Sequence, residues 1–226
     1  MAIAQALNKA KHDAFVWRTE LSLPLKILLS LAVAGAVGLL AQWRFYLPWT
    51  AVPITGQTFG VLLAGVMLGR LWGGISLAAY VGLGAAGVPW FSPAAGAAAF
   101  TAGGIGHLTG ATGGFLIGFV MAGLFLGYFT DKFIRARSFV SMFVLMMVAN
   151  CVLIYGPGLL WLSVWLKSAG MPAASVYGLL TMGMIPFIPG DITKAAAAAA
   201  IVRGVTPKTA YGREVDAHKW SDWRLP

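Results

Sequence analysis

Pro186-Phe187-Ile188-Pro189-Gly190-Asp191-Ile192-Thr193-Lys194, running straight into the six alanines of 195–200, is the stretch that decides the fold. An acid and a base stand three apart inside an apolar segment, directly after a Pro-Gly break. Spacing of three on a helix puts both side chains on one face. A charge in the bilayer core costs roughly 2.5–3.5 kcal/mol on insertion scales, so an ion inside a span usually marks a site. Two readings stand side by side. In one the pair neutralises itself, or Asp191 caps the helix by accepting from its free N–H groups. In the other the pair meets a ligand, the carboxylate offering acceptors and the ammonium donors.

The rest of the chain supplies the membrane. Of its 226 residues 59% are hydrophobic and 10% charged, with a mean hydropathy of +0.80. Soluble domains carry about 25% charged residues, so this composition is that of a polytopic membrane protein. The apolar stretches are long and do not alternate, which argues helices over a membrane barrel. The lone Cys151 lies in an apolar run and reads as a small core residue.

Six spans are expected, at about 24–41, 57–69, 72–88, 111–129, 139–166 and 191–202, the fifth bent near Pro157. Residues 1–23 read as a cytoplasmic or interfacial lead, 24–203 as one six-helix membrane domain, and 204–226 as a cytoplasmic tail. Residues 89–110 are apolar yet rich in Gly, Ala, Ser and Pro. They predict a non-helical loop, tolerated at membrane depth only where protein or a cavity surrounds it. Residues 171–186 predict a second irregular or short helical cover. With the amino terminus inside, thirteen of the sixteen Lys and Arg fall on the inner side, only Arg44 and Lys167 fall outside, and Lys194 lies within a span. That asymmetry argues for both termini in the cytoplasm. It also accounts for the net charge of +9 without nucleic acid. At about 1.5 Å per residue, Asp191 lies roughly 18 Å from Arg203, in the outer half of the membrane.

Other motifs gather on that outer side. Val52-Pro53-Ile54-Thr55-Gly56-Gln57-Thr58 opens the second span, where Gln57 and Thr58 either cap a helix or face a ligand. Gly87-Val88-Pro89-Trp90-Phe91 and Gly110-Ala111-Thr112-Gly113-Gly114-Phe115 flank the glycine-rich loop. Trp90 and Phe91 read as pocket wall or as interfacial anchors. His107 reads as a loop histidine, and the three histidines show no metal spacing. Ala32 and Ala36 put small residues four apart on the first span, which permits close helix contact inside the protein or with a partner. No Walker loop occurs, and no intramembrane pattern suited to hydrolysis. The chain therefore reads as no enzyme, and energised transport would draw on other subunits or an ion gradient.

Four strings carry a resemblance: VPITGQT at 52–58, GVPWF at 87–91, GATGGFLIGF at 110–119 and PFIPGDITKA at 186–195. In this order, over about 24–202, the chain resembles the BioY family, the biotin-binding S components of energy-coupling-factor transporters. The PFxPGDxxK string is the most specific of these pieces. The resemblance implies an all-α fold of six transmembrane helices in the cell (inner) membrane and biotin uptake from the outer face. It implies biotin as ligand without a cofactor, and a membrane T component with two ATPase subunits as partners, or a homo-oligomer where a member acts alone. By the same resemblance Asp191 and Lys194 contact biotin's polar head, and Ala32 and Ala36 meet the T component. Gln57 or Thr58 adds donors, and Trp90, Phe91 and Phe115 cover the apolar parts of the ligand. Two positions depart from the family's fourth-span motif, which usually has Pro and Tyr where this chain has Ala111 and Phe115. Phe115 is therefore expected only as pocket wall.

Overall fold

The computed structural model describes residues 2–171, 175–212 and 214–217. It is helical nearly throughout: α1 (Ala2–Glu20), α2 (Leu23–Gln42), α3 (Gln57–Ala85), α4 (Gly106–Thr109), α5 (Gly113–Lys132), α6 (Phe139–Val148), α7 (Tyr155–Ser168), α8 (Val176–Gly183) and α9 (Ile188–Val205). A ribbon of two short antiparallel strands, β1 (Arg44–Phe45) and β2 (Ile54–Thr55), joins α2 to α3, with Arg44 opposite Thr55. Among the described residues, five helical stretches are long and apolar enough to cross a membrane: Leu23–Gln42, Gln57–Ala85, Gly113–Lys132, Phe139–Ser168 and Val176–Val205.

The second of these is not one rod. Gly69 leaves the helix with φ 82° and ψ 176°, a conformation that L side chains rarely adopt. A Cβ on Gly73 would lie 2.5 Å from the Gly65 Cα. In a straight helix those residues would be roughly 12 Å apart, so α3 folds back on itself as two arms, 57–68 and 70–85. Glycines let α5 enter this hairpin. A Cβ on Gly127 would stand 2.5 Å from the Arg70 Cα, and one on Gly65 would strike the Gly123 carbonyl. Without side chains between them, the three helical pieces meet backbone to backbone. At Gly69 itself an added Cβ would come within 2.8 Å of Asp131 Oδ2. Gly69→Ala is therefore expected to cost about 1–3 kcal/mol of stability and to lower the melting midpoint in detergent. Gly82→Ala, where a Cβ meets nothing within 4 Å, is the control expected to leave the midpoint unchanged or slightly raised.

Two elements differ from expectation. The break in the fifth span is not at Pro157 but at 149–154, a π-helical turn between α6 and α7 in which the Tyr155 N–H donates to the Asn150 carbonyl five residues back. The last helix begins at Ile188, three residues ahead of Asp191, with Pro189 in its first turn, where a missing N–H costs nothing. Residues 92–104 are non-helical, as expected for the glycine-rich loop. The second cover consists of α8 and a short 3-10 turn at Ile185–Phe187, with 172–174 outside the described residues.

The end of the bundle away from Asp191 is closed by both terminal segments. Arg18 on α1 donates to the Val66 carbonyl at 2.8 Å, to Asp131 Oδ1 at 2.6 Å and to the Tyr211 hydroxyl at 2.9 Å. Asp131 Oδ2 accepts from the Arg70 N–H at 2.9 Å, beside the Gly69 turn. Burial is the main cause that pushes the Tyr211 phenol up to about 12. Arg137 reaches the tail residues Pro207, Thr209 and Glu214. The lead over 1–23 is thus largely the helix α1, packed on the bundle through Arg18. The expected tail packs over 206–217 apart from 213, and residues 213 and 218–226 lie outside the described residues.

Candidate functional site

At the opposite end, the opening of α3, the loop after its second arm, the start of α5, the start of α7 and the first turn of α9 enclose a cavity of about 350 Å³. Ligand cavities commonly hold roughly 300–1,000 Å³. One wall is a hydrogen-bonded chain. Asp191 is buried, its residue 2% exposed. Its Oδ1 accepts from Lys194 Nζ at 2.8 Å, and its Oδ2 accepts a short bond from the Tyr155 hydroxyl. Lys194 Nζ also donates to Thr58 Oγ1 at 2.7 Å and to the Thr55 carbonyl at 3.2 Å. The pair is therefore anchored to α7 on one side and to β2 and α3 on the other. A buried charge survives only when paired and hydrogen-bonded in this way.

Asp191 sits past the helix start, with Phe187 at the cap position, so the cap reading gives way to the pair. Thr58 likewise spends its hydroxyl oxygen on Lys194. Thr55 Oγ1 accepts the Gln57 N–H at 3.3 Å and does the local capping. Gln57 is held at both ends of its amide: Oε1 accepts from Thr55 Oγ1 at 2.9 Å, and Nε2 donates to the Tyr80 hydroxyl at 2.6 Å.

The remaining walls are apolar. Phe91 lies against Gly84, where any side chain would collide with its ring. Phe115 packs edge-on to Tyr155, with ring centroids 6.2 Å apart at 87°, over the bare backbone of Gly158. The His107 ring lies tilted at 51° to Phe91 with centroids 5.2 Å apart, and burial lowers its pKa, which favours the neutral ring. Ser92 Oγ is buried on the same lining with no hydrogen-bond partner among the described residues.

The structure thus brings Asp191, Lys194, Gln57, Thr58, Phe91 and Phe115 to one cavity. It does not bring Trp90. In the extended segment 90–91 neighbouring side chains point to opposite faces. The Trp90 indole turns away from the cavity to pack on Gly38, and its Nε1 donates to the Tyr80 carbonyl at 2.9 Å. There it lines a separate open groove with Ala32, Gly35 and Ala36. Trp90 is therefore corrected from cavity wall to groove wall. Ala32 and Ala36 are exposed on this face of α2 and not spent on packing inside the protein. Sequence reasoning missed Tyr155 and passed over His107. The signal for Tyr155 was a hydroxyl among the few polar groups of its span, beside Ser141, Asn150 and Ser163.

A sequence model described as the BioY family matches residues 14–211. A protein described as a probable biotin transporter BioY from Methanothermobacter thermautotrophicus is 52% identical over 166 residues, covering 73% of this chain and all of that relative. The biotin transporter BioY of Rhizobium etli is 32% identical over 179 residues, 77% of this chain and 87% of the relative. The fold matches a crystal structure of the S-component for biotin from an ECF-type ABC transporter with a TM-score of 0.67. That match has 23% identity and covers 81% of this chain and 93% of the other.

Proposed function

The chain belongs to the BioY family, and from that premise we propose that it is the membrane-embedded biotin-binding component of a biotin uptake system. The observation that carries the reading is the buried chain Tyr155–Asp191–Lys194–Thr58 set into the wall of an otherwise apolar cavity. Biotin's ureido ring carries two N–H donors and one carbonyl, and its thioether ring and side chain are apolar. Asp191 matches the donors, while Lys194, Thr58 and Gln57 match the carbonyl. Phe91 and Phe115 cover the rings and chain. Ser92 and neutral His107 are polar groups left on the wall for the ligand's remaining polar end. A ligand without the ureido pattern buries these groups without meeting their remaining hydrogen-bonding capacity and binds poorly.

The chain crosses the cell (inner) membrane six times, the two arms of α3 serving as separate spans, with both termini cytoplasmic. The distribution of Lys and Arg supports that orientation. Biotin then enters from the outer face. Energy comes from partner subunits, a membrane T component and two ATPases, with the exposed Ala32 and Ala36 face of α2 meeting the T component. Working alone as a homo-oligomer is the other arrangement.

Titration calorimetry on the purified protein tests the ligand. Biotin is expected to saturate one site and to withstand an excess of thiamine or riboflavin. Displacement by either vitamin, or no saturation with biotin, would overturn the reading.

A further inference from the structure

Part of the cavity wall is not helix. Phe91, Ser92, Ala94 and Ala95 line it from the loop that follows α3, and residues 94–101 of that loop are exposed. The loop doubles back on itself. The Phe91 N–H donates to the Ala102 carbonyl at 2.9 Å, and the Gly104 N–H to the Gly84 carbonyl at 2.7 Å. Such a cover is held by few bonds, and which bonds they are decides how it opens.

Three side chains from the end of α2 and the turn after it reach this loop. Tyr46 donates to the Pro93 carbonyl and Arg44 to the Ala97 carbonyl, one carbonyl each. Gln42, the last residue of α2, does more. Its Nε2 donates to the Trp90 carbonyl at 3.2 Å and the Phe91 carbonyl at 3.3 Å, and back to Gly38 at 2.9 Å. Its Oε1 accepts the Phe100 N–H at 2.9 Å. One amide thus ties both limbs of the loop to a membrane helix. Phe100 has φ +58°, the one non-glycine residue with positive φ among the described residues. A bulky side chain is held there only when its surroundings over-determine it, and the Gln42 bond is one such constraint. Gln42 itself does not line the cavity.

We infer that Gln42 is a positioning residue, the latch that fastens the 90–104 loop over the cavity and so sets how quickly a bound ligand leaves. This rests on the biotin reading for its ligand and on the loop's own bonds for its geometry. Only a side chain with a donor and an acceptor on one planar head can hold both limbs. Breaking the latch lets the cover lift without touching Asp191 or Lys194, so the effect falls on departure rather than on capture.

Two measurements on full-length protein test it. In the first, radiolabelled biotin is chased from wild type, Gln42→Met and Gln42→Glu. Gln42→Met removes every bond and is expected to speed dissociation roughly tenfold or more, with the association rate within about twofold of wild type. In the second, hydrogen exchange is followed on the ligand-free protein. Gln42→Met should deprotect 90–104 while α5 and α9 keep their protection. Gln42→Glu keeps the acceptor and should preserve protection at the Phe100 amide, while losing it at the limb bonded through Nε2. An unchanged dissociation rate, or deprotection spread evenly over the helices, would overturn the latch. If wild type bound no biotin, the ligand reading would fail. Exchange would then still decide the latch, since unchanged protection of 90–104 in Gln42→Met sinks it on its own.

Discussion

Asp191→Asn is expected to lower biotin affinity about 100-fold or more. The carboxylate works with both oxygens at once, Oδ1 toward Lys194 and Oδ2 toward Tyr155. An amide has a single acceptor, so one of the two donors would face an NH₂ group. Lys194, with a side chain only 19% exposed, would lose its counter-ion. The ligand would lose an ionised acceptor, and hydrogen bonds to charged groups are the stronger ones. Because the pair also holds α9 to α7 and α3, folding needs its own measurement. Tyr155→Phe provides the comparison: it keeps the ion pair, removes one donor, and should weaken binding far less. Calorimetry and thermal melting on both variants separate the effects. Normal biotin binding by Asp191→Asn would remove Asp191 from the site.

The second large effect lies at the other end of the molecule and concerns stability alone. Arg137 and Glu214 form an ion pair at 2.5 Å with side chains 2% and 0% exposed. Arg137 spends its other donors on the carbonyls of Thr130, Pro207 and Thr209. Glu214 accepts from the N–H groups of Tyr211 and Gly212. Glu214→Ala strands a buried guanidinium and should cost about 3–5 kcal/mol, a fall in melting midpoint on the order of 10 °C for a chain of this size. The double replacement Arg137→Met with Glu214→Leu removes both charges and should recover much of that loss. Biotin affinity of the folded variants should stay near wild type, since the pair belongs to the far end of the bundle. A midpoint shift of under about 2 °C would show that the tail is not fastened there.

The sequence made the charged pair legible because two ions in an apolar run have few explanations. The division into spans at 57–69 and 72–88 likewise anticipated the reversal at Gly69, inside an apolar stretch of 29 residues. What stayed hidden depends on contacts between distant segments. Tyr155 is 36 residues from Asp191, and nothing local tells that its hydroxyl points there. Trp90 and Phe91 look alike as aromatics, yet extended backbone sends them to opposite faces, and only packing against Gly38 and Gly84 decides which goes where. The π-helical turn at 149–154 leaves no mark in residue type, whereas Pro157 drew the expected bend to itself. The two terminal segments read as a polar lead and a polar tail because their order comes from Arg18, whose partners lie 48 to 193 positions away, and from Arg137, whose partners in the tail lie 70 to 77 positions away.

The torsions of Gly69 have a consequence for parity. Were that residue helical, the chain from Gln57 to Ala85 would traverse the apolar layer once, and every element after it would emerge on the other side. With φ at 82° the chain reverses instead, so the beginning of the first arm and the end of the second share one end of the bundle. The loop that bears Phe91 stands over Gln57 and Asp191 for that reason, and the acid and the aromatic cover can face a common space. One backbone conformation, available cheaply only to glycine, therefore sets at which end of the bundle each element of the following two-thirds of the molecule begins.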